Sequence, residues 1–108
     1  MKLTTFKWAT KMNIFDYTVP KQGEQFDTLL EHKNVKILRI VSSSDFEPTE
    51  YIQDEDEWVV LLKGEATLLV GQEKKVLKEG DSLFIPAYIA HTVLRMKHDT
   101  IWIAVHIY

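Results

Sequence analysis

The chain has 108 residues, no cysteine, and 16 acidic against 13 basic side chains, giving a formal net charge of -3. That length means one domain, the missing cysteines exclude a disulfide framework and any thiolate metal site, and lysines spread along the chain argue against a nucleic-acid face. A hydrophobic fraction of 45% excludes disorder. No apolar stretch approaches the ~20 residues of a membrane helix, and Met1 to Thr5 open no signal-peptide core, so a soluble cytoplasmic protein is expected.

Residues 1–33 read as an N-terminal arm with a short helix. The first 20 residues scatter Leu3, Phe6, Trp8, Ile14, Phe15, Tyr17 and Val19 without a sustained period, which suggests an arm with a short strand closed by Pro20. From Gln22 to Glu31 the spacing changes. Phe26, Leu29 and Leu30 stand at i, i+3 and i+4, which predicts one or two helical turns capping the domain. Residues 35–107 then read as a β-barrel. Val35 to Val41 is a strand, Ser42 to Asp45 a turn, and Phe46 to Gln53 extended, with Pro48 confining it to an edge or bulge.

The chain is organised around Tyr51 to Gly64. An acidic loop runs into Trp58-Val59-Val60-Leu61-Leu62 and stops at a glycine. Five apolar positions are too few for a helix of ordinary length, so the run is a strand. Apolar groups on both faces make it a central one. Side chains alternate, so Glu57, Val59 and Leu61 share one face and Trp58, Val60 and Leu62 the other. Glu57 is thus a carboxylate in phase with a core face, and it needs a partner there. Further strands follow at Ala66 to Val70, Lys74 to Leu77, Ser82 to Ile85, His91 to Met96 and Thr100 to Ile107, separated by Gly, Asp and Pro turn signals. Eight or nine short strands with almost no helix make an all-β sandwich or barrel.

Two spaced motifs, Glu57-x6-Gly64 and Gly80-Asp81-x4-Pro86-x4-His91, resemble the two motifs of the cupin superfamily, H-x-H-x(3,4)-E-x6-G and G-x5-P-x-G-x2-H-x3-N. The resemblance spans residues 51–95, implies a jelly roll, and points to small single-domain cupins whose first motif is depleted in histidine. The two first-motif histidine positions fall on Tyr51 and Gln53. In the second motif the glycine position is Tyr88 and the asparagine position Arg95. The resemblance implies a divalent metal (manganese, iron, zinc or nickel) held by Glu57 and His91, with Gln53 a weaker oxygen ligand. It also points to a homodimer.

The residues lead to a similar set unaided. Were Tyr51 to Glu57 extended, Tyr51, Gln53 and Glu57 would lie in phase, and His91 on another strand shares its face with Val93 and Arg95. His106 lies in phase with Trp102 and Ala104. A carboxylate, an imidazole and a carboxamide converging inside a barrel make a plausible shell for a divalent ion. Tyr51, Arg95 and His106 are then expected in the ligand pocket, with Tyr51 and Arg95 positioning an anionic substrate. The plainer readings pair Glu57 with Arg95, tie His91 to a backbone carbonyl, and leave Asp54 to Asp56 as a solvated loop. Two functions follow: a metal-binding cupin holding a small organic molecule, or a metal-free binding or sensing module. Both expect a small-molecule ligand and a homodimer, without nucleic acid or membrane.

Overall fold

In the computed structural model, residues 11–108 are described. They form nine strands and no helix: β1 Glu24–His32, β2 Val35–Ser42, β3 Glu50–Tyr51, β4 Asp56–Lys63, β5 Glu65–Val70, β6 Glu73–Lys78, β7 Ser82–Ile85, β8 His91–Met96 and β9 Thr100–Ile107. Two antiparallel sheets face each other, one in the order β1-β2-β9-β4-β7 and one in the order β3-β8-β5-β6. No helix among the described residues is long and apolar enough to cross a membrane.

The core lies between the sheets. Val59, Leu61 and Trp102 from one meet Ala66, Leu68, Leu77 and Met96 from the other. Their alternation is the sequence pattern itself: on β4, Glu57, Val59 and Leu61 are buried while Trp58 between them is exposed. The Trp102 indole N–H donates to the Met96 sulfur at 3.2 Å, so even the polar edge of this large core residue is satisfied. β4 lies inside its sheet between β9 and β7, as its double-faced apolarity predicts. The outer face is only partly covered, since Trp58 stands opposite Phe84 and both remain substantially exposed.

The expected helical turns over 22–31 are instead the edge strand β1. It pairs with β2 along its length, from Glu24 opposite Ser42 to His32 opposite Val35. The apolar spacing that imitates a helix arises from a bulge. Thr28 pairs with Leu38 and Leu30 with Ile37, so Leu29 is the extra residue and the strand changes phase there. Two isolated turns of helix are marginal in water, whereas the free edge of β2 offers a partner to each β1 backbone group that faces it. The short strand expected in the arm is absent from residues 11–20, and its remainder lies outside the described residues. Of the stretch expected to be extended, only Glu50 and Tyr51 pair in a sheet.

The arm is strapped across the outer face by a buried cation. Arg39 donates from Nη1 to the carbonyls of Ile14 and Asp16, each at 3.0 Å, and from Nη2 to Asp27 at 2.9 Å. The Tyr17 hydroxyl donates to Asp99, which also pairs with Lys63. The Arg39 hydrogen bonds hold the Asp27 carboxyl below its usual range despite an opposing desolvation. A carboxylate whose folded value is depressed adds stability above the ordinary carboxylate value, and that stability is lost as pH falls through the depressed one. Asp27→Asn is therefore expected to flatten the acid limb of the stability–pH curve below about pH 4 in chemical denaturation.

Gly64 has φ +95°, and a methyl group there would lie 2.9 Å from the Thr100 Cα, in the backbone of the neighbouring strand. Gly64→Ala is expected to cost roughly 2–4 kcal/mol, combining the left-handed penalty with the overpacking. A loss below about 1 kcal/mol in urea unfolding would contradict the constraint.

Candidate functional site: a cavity with one polar cluster

Between the sheets lies a cavity of about 210 Å³. Most of its wall is apolar, including Leu38, Ile40, Val59, Leu68, Val93 and Trp102. Apart from Glu24, its polar groups gather around Glu57. β4 places Glu57 between Ile85 on β7 and His106 on β9, and β8 brings His91 in from the other sheet. Tyr51 on β3 pairs with His91, and the two rings stack with centroids 6.0 Å apart.

Glu57 is 7% exposed, and its carboxylate is contacted from three sides. The Gln53 amide donates to Oε1 at 2.9 Å. His91 Nε2 lies 3.7 Å from Oε1, and His106 Nε2 lies 3.7 Å from Oε2. The far nitrogen of each imidazole is already engaged. His91 Nδ1 faces the Ile89 carbonyl at 3.1 Å, and His106 Nδ1 faces the Glu55 carboxylate at 3.1 Å. Both partners accept, so each Nδ1 carries the hydrogen and each Nε2 points toward Glu57. An unprotonated Nε2 and a carboxylate oxygen repel each other. The arrangement therefore calls for positive charge, either a proton on an imidazole or a cation between the groups.

The donor types suit a divalent cation: two imidazole Nε2 atoms oriented through their Nδ1 hydrogen bonds, and one carboxylate. Among the described residues, however, no three His, Asp, Glu or Cys side chains already converge as a metal centre. Gln53, expected as a weak ligand, directs its amide N–H₂ at Glu57. It reaches the cavity from the loop joining β3 to β4, because the chain crosses between sheets there instead of running extended from Tyr51 to Glu57.

Arg95 does not reach the cavity. Opposite β5 the register passes from Thr67–Arg95 to Leu68–Val93, so Leu94 is a bulge. A one-residue bulge reverses which face each later side chain occupies. Val93 faces inward, Arg95 is exposed, and Met96 is buried again. Arg95 instead lines a separate surface depression with Glu65, Thr67 and Lys97.

Two carboxylates beyond Glu57 join the site, Glu55 behind His106 and Glu24 in the cavity wall. Glu55, in the run expected to be a solvated loop, is half-buried against His106, and Asp56 accepts the Ala87 N–H at 2.8 Å. Burial pushes the Glu55 carboxyl up, but its own backbone N–H, the Tyr108 hydroxyl and His106 together hold it below the usual range. Glu24 enters the cavity wall from β1, where Ser42 donates to it at 3.2 Å. Burial raises its carboxyl, with Ser42 opposing. The signal for Glu55 is its place two residues ahead of an inward carboxylate, in phase with it. Glu24 gave none once its segment was read as helix.

The glycine position of the second motif holds Tyr88, which adopts φ +66°. Its N–H donates to the Gln53 carbonyl at 2.7 Å, so this left-handed residue anchors the loop that carries Gln53. The side chain is 71% exposed and packs little. Tyr88→Gly is expected to leave stability unchanged or raise it by up to about 1 kcal/mol, since the relieved backbone strain opposes the added entropy of the unfolded chain. Thermal unfolding would show a melting temperature no lower than that of the parent.

With two facing sheets, the Glu57–Gly64 and Gly80–His91 segments in place and a cavity between the layers, the fold and site define a small jelly-roll domain. The chain belongs to the cupin family: the model described as the cupin domain matches residues 38–108. Among solved structures it is similar to a Ralstonia eutropha protein provisionally named as a mannose-6-phosphate isomerase, at 32% identity over 92% of this chain and 98% of that one, with a TM-score of 0.81. An RmlC-like cupin from Shewanella frigidimarina shares 21% identity over 79% of this chain and 76% of its own, with a TM-score of 0.72. KdgF from a Halomonas species shares 16% over 79% and 78%, with a TM-score of 0.73. The last two show the fold alone. No curated protein matches the chain.

Proposed function

We propose that this cupin binds a small organic molecule inside the barrel, with Glu57, His91, His106, Gln53 and Tyr51 as the polar end of the site. One observation carries this reading: four polar side chains gather about one buried carboxylate while the wall beyond them, Glu24 apart, is apolar. A cavity that is mostly apolar with a few convergent polar groups is the usual form of a small-molecule site. Cyclohexanol is a suitable probe. Added to labelled protein, it is expected to shift NMR signals of Val59, Leu68, Val93 and the Trp102 indole, and Val93→Phe should abolish the response by filling the space. Shifts confined to the outer face, at Trp58 and Phe84, would count against the cavity.

The second reading keeps the same residues and places a divalent cation among Glu57, His91 and His106. It is favoured by the two Nε2 atoms aimed at one carboxylate with no hydrogen between them to spare. A bound ion would supply a Lewis acid facing the cavity. Titration with manganese or zinc is expected to raise the melting temperature of the parent and of Arg95→Ala, and not that of Glu57→Gln. An equal rise in all three proteins would remove the metal from this site.

A further inference from the structure

We infer that the cavity selects a mainly apolar molecule whose head group donates hydrogen bonds and is neutral or cationic, an alcohol or an amine, and that it rejects anions. This rests on the cavity being the binding site.

The argument is one of charge and of partners. Among the described residues, Glu24 and Glu57 line the cavity, and no Lys or Arg does. The one guanidinium whose position along β8 would have brought it inside is turned to the surface by the Leu94 bulge. The two carboxylates stand at opposite ends. Glu24 bonds to Ser42, which pairs with Thr100, and Glu57 pairs with His106, so the two levels are six residues (106 − 100) apart on β9, roughly 20 Å at the backbone. An anion anywhere along this path approaches one of them. Glu57 already claims any positive charge the two imidazoles carry, so a buried anion would lack a cation of its own, which costs far more than burying a neutral group.

The hydrogen-bonding capacity points the same way. Gln53 turns one amide N–H to Glu57, and both Nδ1–H groups are spent on Ile89 and Glu55. What remains open toward the cavity at Glu57 is acceptor capacity, which an alcohol or ammonium satisfies and a carboxylate or phosphate does not. A polyhydroxylated sugar phosphate fits worst. Its hydroxyls would meet Leu38, Ile40, Leu68 and Val93, none of which can replace their bonds to water.

A matched set of ligands isolates the head group. Benzylamine, benzyl alcohol, benzoate and mannose 6-phosphate would be titrated calorimetrically into the full chain after treatment with a chelator, so that no metal attracts the anions. The amine and the alcohol are expected to bind, benzoate at least tenfold more weakly than benzylamine, and the sugar phosphate not at all. Glu57→Gln should shrink the gap between benzylamine and benzoate, with circular dichroism showing that it folds. Benzoate or the sugar phosphate binding as tightly as benzylamine, at a site blocked by Val93→Phe, would overturn the inference and leave the cavity reading standing. Binding that Val93→Phe does not alter, or no binding of any of the four, would overturn both.

Discussion

The structure turns on the satisfaction of one buried carboxylate. Glu57 follows the inward phase of β4, so its charge is delivered to the interior by the same alternation that delivers Val59 and Leu61. A charge in that position must collect partners or lose its ionisation. The partners come from every side: a carboxamide from the preceding loop, an imidazole from the neighbouring strand of the same sheet, and another from the facing sheet. Each partner is then fixed by its own second contact. Gln53 is held through the Tyr88 N–H, His91 through the Ile89 carbonyl, and His106 through Glu55. Such a network is costly when half complete and strongly specifying when closed.

This explains which parts of the molecule could be read from its residues. β7, β8 and β9 begin and end where their turn signals place them, and the inward phase of Glu57, His91 and His106 follows from strict alternation counted from neighbouring apolar residues. What was not legible depends on backbone irregularity or on distant partners. Phe26, Leu29 and Leu30 imitate a helix because Leu29 is an extra residue in a strand, and no local pattern distinguishes that from helical spacing. Arg95 was misplaced for the same reason. Alternation was carried through Leu94, where the chain breaks it. Glu55 looked solvated because its neighbours are acidic, and only the return of β9 beside β4 shows that His106 is waiting for it.

The fold by itself names no chemistry, since jelly rolls of this kind host many. The Shewanella and Halomonas proteins, at 21% and 16% identity, share the roll and nothing that fixes a ligand. What distinguishes this chain is the composition of its interior. A histidine-depleted first motif leaves Tyr51 and Gln53 where metal-binding imidazoles would stand, while β9 supplies an imidazole from outside both motifs. The polar cluster is thus reassembled from a different part of the chain.

The Leu94 bulge has a consequence for how such proteins diverge. Parity along a strand is a binary variable, and one inserted residue sets it for everything beyond. Pairing Leu94 in regular register would carry strict alternation on to Arg95, turning its guanidinium into the chamber and reversing the sign of the charge a ligand meets, with no wall residue replaced. Two homologues with matching walls can therefore prefer oppositely charged molecules, and the presence or absence of one bulge records the difference.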